Sequence, residues 1–354
     1  MKSLWICLWV VAILNNISDR ASGFWLGSRT FRSGPRITKE RLASRVDFPP
    51  LPSEEDATLN RNGTWSRKWT RFGGEGVGPE HVVPLWVADM DFRCPKEVTD
   101  ALQGVLDQGV FGYTDCPPAL ADAMVARLHE RHGFGKVLDT SMLRWLPGLL
   151  PGLNHVIRAR RAMDRGVYGA LEPLSVAVTT PIYAPFLAAP SNCDAELVRV
   201  PLARKPLSES NSRVWRYEPD DEPALAAALA APDVKVLLWC SPHNPTGRVW
   251  SRQELKVVAS LCVEHDVTLL SDEVWADLVL TDEYPEEEDQ EREDKGEWKV
   301  ADTTSMSFKS EFVGMASLCE EMPGLAERLA VITSPSKTFN VASLDIAVAA
   351  IPGQ

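Results

Sequence analysis

DVKVLLWCSPHNPTG (residues 233–247) is the stretch from which the architecture can be inferred. Its apolar run ends in a proline-rich turn, and SRQELKVVASLCVEHD (251–266) follows with the pattern of an amphipathic helix. A second apolar run, VTLLSDEVW (267–275), comes directly after this helix. Continuous apolar strands joined by a helix predict a parallel βαβ unit whose sheet is covered on both faces.

The same alternation extends towards the amino terminus. SMLRWLPGLLPGLNHVIRARRAM (141–163) predicts a strand, a turn and a helix, and LSVAVTTPIYAPF (174–186) predicts a strand followed by an aromatic loop. Ser251 and Glu254 match a capping box, which predicts that a helix begins there. We therefore predict an α/β fold with a mostly parallel sheet sandwiched by helices.

The composition is that of a globular chain. Of its 354 residues, 45% are hydrophobic and 24% are charged, which permits one large domain or two smaller ones. The net charge of -12 comes mostly from Asp282 to Asp294, where nine acids face one arginine. This acidity argues against nucleic acid as a partner. The seven cysteines form no CxxC pair, so the sequence indicates neither a metal site nor a disulfide framework.

Residues 1–45 have the composition of a presequence. The apolar stretch 4–14 has the length of a signal sequence and falls short of the roughly 20 residues that a membrane span needs, so no span is expected in the mature chain. The segment 20–45 then holds seven Lys or Arg and a single acid. This two-part pattern resembles that of proteins imported into plastids bounded by extra membranes. Secretion and an uncleaved anchor are the alternatives.

Chemically useful residues cluster where the predicted strands end. Because the carboxyl ends of parallel strands meet at one edge of a sheet, these residues are expected to form one site. One of them is a lysine that directly follows an apolar run, in SPSKTFN (334–340). The others are Gly148, Tyr183, Asn244 and Asp272.

These side chains suit an aldehyde cofactor with a pyridine ring. Burial favours the neutral amine of Lys337, which would bond covalently to the aldehyde. Asp272 would keep the pyridine nitrogen protonated, so that the ring accepts electrons. The Asn244 amide would donate to the ring oxygen, and Tyr183 would stack on the ring. A phosphate would lie at the helix start, with the backbone of Gly148, Leu149 and Leu150 and the hydroxyl of Ser334.

Several motifs carry a family resemblance. Four of them resemble fold-type I pyridoxal-phosphate enzymes of the class I/II aminotransferase superfamily: TPIY (180–183), SPHNPTGRVW (241–250), SDEVWADL (271–278) and SPSKTFN. Three more resemble its cystathionine β-lyase, or cysteine-S-conjugate β-lyase, branch: RNGTWSRKW (61–69), PLWVADMDF (84–92) and FGYTD (111–115).

The resemblance implies an enzyme. It would be a pyridoxal 5'-phosphate-dependent carbon–sulfur β-lyase that cleaves cystathionine or cysteine S-conjugates to a thiol, ammonia and pyruvate. The alternatives are a class I/II aminotransferase and an inactive truncated homologue. The implied domain organisation is a presequence (1–45), a linker (46–58) and a cofactor-binding large domain (59–354) with a disordered acidic insert (281–314).

The resemblance also assigns roles to individual residues. Lys337 is the lysine that binds the cofactor and takes the Cα proton, and Tyr113 reaches the cofactor phosphate of a second subunit in a homodimer. Trp86 and Asp89 line the substrate entrance. The remaining cofactor and substrate contacts are assigned to Gly148, Leu149, Leu150, Tyr183, Asn244, Asp272, Trp275 and Ser334.

Two departures from the family pattern are visible. Trp275 stands where the superfamily usually has Tyr and this branch often has His, and an indole can donate a hydrogen bond but cannot accept one. The sequence ends at Gln354, whereas relatives continue and supply an arginine for the substrate α-carboxylate. No arginine follows Arg328 here. We therefore expect that most of the small domain is missing, with weak turnover and poor folding as the consequence.

Overall fold

The computed structural model describes most of the chain beyond the predicted presequence. The predicted presequence and linker lie outside the described residues, as does most of the predicted insert. In the part that is described, no helix is both long and apolar enough to span a bilayer. The described residues are 61, 64–70, 84–135, 138–163, 173–208, 211–218, 223–279 and 312–353.

A seven-stranded sheet forms the centre of the described structure, in the order β1-β9-β8-β7-β6-β2-β3. Strand β9 runs antiparallel to both of its neighbours, and the pairs β8–β7, β7–β6, β6–β2 and β2–β3 are parallel. A separate antiparallel pair is formed by β4 and β5. The strands are β1 (Leu143–Leu146), β2 (Ser175–Thr180), β3 (Glu196–Pro201), β4 (Ala203–Ser208), β5 (Asn211–Glu218), β6 (Val234–Cys240), β7 (Thr268–Asp272), β8 (Leu329–Thr333) and β9 (Ala347–Ala350).

Helices cover the sheet, so the predicted α/β fold with a mostly parallel sheet is confirmed. The first helix, α1, is a single turn, and the longest are α3 and α4. The helices are α1 (Arg67–Thr70), α2 (Lys96–Gln108), α3 (Pro118–His132), α4 (Leu149–Met163), α5 (Ala184–Ala188), α6 (Pro223–Leu229), α7 (Arg252–Glu264) and α8 (Pro335–Thr338).

The core lies on both faces of the sheet. Along β6, Leu237 and Trp239 pack in a cluster with residues of α3 and α7, whereas Val236 and Leu238 pack in a second cluster with Leu153 of α4. All five side chains are fully buried. A strand whose two faces are both buried has no polar alternation, which is why its sequence is continuously apolar.

Helix α7 begins with the predicted capping box. The Ser251 hydroxyl accepts from the backbone N–H of Glu254 at 3.3 Å, and the Glu254 carboxylate accepts from the backbone N–H of Ser251 at 2.7 Å. These two bonds satisfy backbone N–H groups that have no partner inside the helix. The helix start predicted from the sequence is therefore confirmed.

Helix α4 packs very close to the sheet. A Cβ at Gly152 would lie 2.6 Å from the Cδ1 atom of Ile332 on β8 and 2.9 Å from that of Leu146 on β1. Only glycine therefore fits at this point of the helix without displacing the sheet side chains. This close approach fixes the amino-terminal turn of α4 beside the carboxyl end of β8.

Candidate active site

A cavity of about 620 Å³ opens where β6, β7 and β8 end. It brings together nearly all of the residues that the sequence singled out from these strand ends. The sequence-predicted residues that line it are Trp86, Gly148, Leu149, Leu150, Tyr183, Asn244, Asp272, Trp275, Ser334 and Lys337.

Asp272 is the last residue of β7 and is buried. Its Oδ1 accepts from the backbone N–H of Val274 at 3.1 Å, and its Oδ2 lies 3.9 Å from the Cys240 thiol. In the described part of the chain it forms no ion pair. Burial raises its pKa to about 7, with the charge of Glu273 acting in the same direction and Lys337 in the opposite one. The site therefore holds a buried carboxylate that lacks a cationic partner.

The turn that carries Lys337 is fixed by Ser334. The Ser334 hydroxyl accepts from the backbone N–H of Ser336 at 3.1 Å and donates to the Ile346 carbonyl at 2.7 Å. Ser334 is therefore both the cap of α8 and a link to the chain segment that enters β9.

Lys337 lines the same cavity as Asp272. Burial lowers its pKa, while the negative charges of Asp272 and Asp89 raise it. Its Nζ lies 5.7 Å from the centre of the Trp275 ring. A lysine in these surroundings has a larger neutral fraction than one in water, which is the form that acts as a nucleophile or base.

The loops after β2 and β6 meet beside the cavity. The backbone N–H of Tyr183 donates to the Asn244 carbonyl at 3.1 Å. Tyr183 is exposed and lines the cavity. The two residues are thus held next to each other, and both line the cavity.

Gly148 turns the chain from β1 into α4. Its φ of +100° is one that glycine adopts without the steric penalty of a side chain. Leu149 and Leu150 follow as the first residues of α4, whose initial N–H groups have no partner inside the helix. One acid stands nearby, because a Cβ at Gly148 would lie 3.9 Å from Asp345 Oδ1.

The entrance segment, residues 84–92, forms one side of the cavity. Trp86 lines the cavity, but Asp89 does not. Asp89 instead accepts from Arg61 at 2.6 Å. Trp86 Nε1 donates to the Lys68 carbonyl at 3.0 Å, which ties the segment to α1. The negative charge of Asp89 nevertheless acts on the site, because it raises the pKa of Lys337.

Asn340 joins the entrance segment to the lysine turn. Its Nδ2 donates to the carbonyls of Met90 and Phe92 at 3.0 and 2.8 Å, and its Oδ1 accepts from the Met90 N–H at 2.9 Å. The sequence included this Asn in a motif but gave it no role. A sequence separation of 250 residues from its partner leaves no local pattern by which that role could be found.

Two further residues complete the comparison with the sequence. Tyr113 is fully exposed and outside the cavity, so its contact with a second subunit stays a prediction. Arg67 lines the cavity, although the sequence gave it no role. Its position within the motif RNGTWSRKW is the one feature of the sequence that could have indicated a role at the site.

Comparison with known proteins places the chain in a family. A family model described as "Aminotransferase class I and II" matches residues 80–352. The chain belongs to this family. Because its relatives include cystathionine β-lyases, the resemblance inferred from the motifs is confirmed.

The relatives are longer than this chain. "Cystathionine beta-lyase PatB" of Bacillus subtilis is 32% identical over 298 residues, which cover 84% of this chain and 64% of the relative. "Protein MalY" of Escherichia coli is 29% identical over 221 residues, which cover 62% of this chain and 52% of the relative.

A solved structure supports the same relationship. Cystalysin from Treponema denticola, whose structure contains a pyridoxal 5'-phosphate cofactor, superposes with a TM-score of 0.63 and 28% sequence identity. The superposition covers 84% of this chain and 63% of cystalysin. The family fold is therefore present over the part of the relatives that this chain spans.

Proposed function

We propose that the cavity binds pyridoxal 5'-phosphate and that the protein is a carbon–sulfur β-lyase for cystathionine or other cysteine S-conjugates. One observation carries the proposal: Lys337, whose pKa is lowered by burial, shares a cavity with the buried carboxylate of Asp272. This pairing suits a cofactor that bonds to an amine and carries a protonated ring nitrogen.

The surroundings of Asp272 test whether the cofactor fits. A buried carboxylate without a cation is energetically costly, and an N–H and a distant thiol are its only described partners. A protonated pyridine nitrogen would supply the missing positive charge. The Tyr183 ring and the Asn244 amide border the same cavity and suit the face and the oxygen of that ring. The residues present therefore fit the cofactor.

The reaction follows from the positions of these residues. When bound, the cofactor supplies an electron sink for the negative charge that develops at the substrate Cα. Asp272 would keep the ring nitrogen protonated. Lys337 would hold the cofactor through its Nζ, and the same amine, once free, would take the Cα proton of the substrate. Loss of the sulfur substituent from Cβ, followed by hydrolysis, yields a thiol, ammonia and pyruvate.

Reductive trapping tests the cofactor site. Pyridoxal 5'-phosphate followed by borohydride should label one peptide, at Lys337, and Lys337→Ala should remove that label. Lys256→Ala, which changes a partly exposed lysine outside the cavity that pairs with Glu321, should leave it unchanged. A label at another residue, or none, would contradict the proposal.

An aminotransferase is the second candidate, because the matching family model describes aminotransferases. Both reactions begin with removal of the Cα proton, so the described residues suit either. Release of pyruvate from cystathionine without a keto-acid acceptor supports the lyase. Strict dependence on an acceptor supports the aminotransferase, and a labelled chain without turnover of either kind supports an inactive homologue.

We also propose a homodimer. Val110, Phe111 and Tyr113 lie between α2 and α3 with their apolar side chains exposed to solvent. Adjacent exposed apolar side chains are typical of surfaces that another chain covers. This placement supports the assignment of Tyr113 to the site of a second subunit.

For localisation we propose that residues 1–45 direct the chain to a plastid through the secretory pathway. The support is compositional: an apolar stretch precedes a basic, acid-poor segment. A fluorescent protein fused to residues 1–45 should enter plastids, whereas a fusion to residues 1–19 should stop in the secretory pathway. Secretion of the longer fusion would contradict the proposal.

A further inference from the structure

Arg67 occupies the solvent-exposed side of the cavity. It lines the cavity together with Leu85 and Trp86, and all three side chains are exposed. Lys337 and Asp272 line the same cavity and are more buried than these three residues. A substrate that reacts at Lys337 therefore has its far end towards Arg67.

The guanidinium of Arg67 is held by its surroundings. It lies over the ring of Trp86, with 5.8 Å between its Cζ and the ring centre. The next residue, Lys68, is buried and pairs with Asp91 at 2.6 Å, and its carbonyl accepts from Trp86 Nε1 at 3.0 Å. These contacts fix α1 against the entrance segment, so the backbone of Arg67 is held in place.

The charge of Arg67 is available to a ligand. Among the described residues that line the cavity, Arg67 and Lys337 carry the positive side chains, and Lys337 is assigned to the cofactor. No carboxylate in the described part of the chain pairs with Arg67. A guanidinium stacked on an aromatic ring keeps its N–H edge free to bind a carboxylate through two hydrogen bonds.

We propose that Arg67 binds a carboxylate at the end of the sulfur substituent, so that the site selects cysteine S-conjugates with an anionic terminus. This inference rests on the proposed lyase function. The α-carboxylate is attached to the carbon on which Lys337 acts, so in this proposal it lies near Lys337. The sulfur substituent is the part of the substrate that extends outwards, where Arg67 and Trp86 meet it.

A matched pair of substrates tests the inference. S-(2-carboxyethyl)-L-cysteine and S-(2-carbamoylethyl)-L-cysteine have nearly the same shape and differ in charge. Arg67→Gln should raise KM for the carboxylate substrate by about tenfold, with little change in kcat, because a charge-assisted contact is lost. The same variant should alter KM for the amide by less than about twofold, since an amide gains little from a positive charge.

Ionic strength and two further variants complete the design. Added salt should raise KM for the carboxylate substrate in the wild type but not in Arg67→Gln. Arg67→Lys should retain part of the preference, since it keeps the charge but not the planar fork. Arg131→Gln removes an exposed charge at the end of α3, outside the cavity, and should change KM for neither substrate.

The outcomes separate the inference from the function on which it rests. Pyruvate release from the amide reports the lyase independently of Arg67, and borohydride labelling of Lys337 reports cofactor loading in every variant. Equal losses on both substrates, or no loss on either, would overturn the role of Arg67 while leaving the lyase intact. If the wild type cleaves neither substrate, the lyase and the inference fail together.

Discussion

Asp272 is a carboxylate that the fold buries at a strand end without giving it a cation. Its location could be predicted, because an acid that directly follows a buried parallel strand must lie at the edge where ligands bind. The degree to which Asp272 is buried could not be predicted from the sequence. Burial depends on Cys240 and Val274 and on the loops that close over the strand end, which are fixed by tertiary packing.

The raised pKa of Asp272 predicts a pH-dependent stability in the cofactor-free protein. Its pKa is about 7 in the folded chain, compared with 3.8 for an exposed carboxyl. The unfolded chain therefore loses this proton first as the pH rises. The contribution of Asp272 to the free energy of unfolding is fully present below about pH 4 and is lost as the pH rises to about 7.

Urea unfolding of wild type and Asp272→Asn checks this expectation. The wild-type stability relative to the variant should fall by about 3 kcal/mol between pH 4 and pH 7. His243 titrates over the same range, because burial lowers its pKa to about 4, but it is present in both proteins and cancels. Parallel stability curves would contradict the assignment.

Asp345 predicts an effect on cofactor affinity. Its carboxylate lies near Gly148, where the phosphate is proposed to bind, and forms no ion pair in the described structure. Asp345→Asn should therefore tighten binding of pyridoxal 5'-phosphate by about three- to tenfold, because a repulsion of about 1 kcal/mol is removed. Absorbance titrations of the cofactor give this affinity directly.

Pyridoxal, which lacks the phosphate, is the matched ligand for that experiment. Its affinity should be unchanged in Asp345→Asn. Asp122→Asn, at an exposed position on α3, should change the affinity for neither ligand. If both ligands bind more tightly to Asp345→Asn, the phosphate does not lie beside this carboxylate.

Sequence reasoning found the residues that follow strands and missed those whose partners are distant in the chain. Lys337 and Asn244 were found because a buried strand directly precedes each of them. Arg67 and Asn340 were missed, since their roles depend on the entrance segment packing against α1 and the lysine turn. Such contacts leave no periodic signal in the sequence.

Among the elements, helix α4 connects the fold most directly to the site. It begins at the proposed phosphate position and crosses the sheet with Gly152 against Ile332 and Leu146. The strand, turn and helix of this region were predicted correctly from their patterns. The antiparallel strand β9 was not predicted, because its direction is set by pairing with β1 and β8 rather than by its own four apolar residues.

Two glycine substitutions test how tightly α4 is packed. Gly152→Ala should destabilise the protein by about 1–3 kcal/mol, because its methyl group would overlap the buried Ile332 side chain. Gly104→Ala, at an exposed position inside α2 with no atom within 4 Å, should instead stabilise it by about 0.5–1 kcal/mol. Chemical denaturation measures both changes. A neutral or stabilising Gly152→Ala would contradict the close packing.

The exposed apolar residues between α2 and α3 bear on the oligomeric state of the whole molecule. If they form the proposed dimer interface, Phe111→Asp should shift the protein to a monomer, because a charge at an apolar interface is costly to bury. Sedimentation velocity measures the change. Met163→Asp, an exposed apolar position at the end of α4, is the control and should leave the dimer intact. A wild type that sediments as a monomer would contradict the proposal.

The hydrogen bonds of Asn340 restrict how the proposed substrate site could be redesigned. They join the entrance segment directly to the turn that carries Lys337, so the two parts of the backbone are coupled. A substitution that moves the backbone of the entrance segment would therefore also move the turn that carries Lys337. Broader substrate tolerance would thus come more readily from changing side chains at the site, such as Arg67, than from reshaping this backbone.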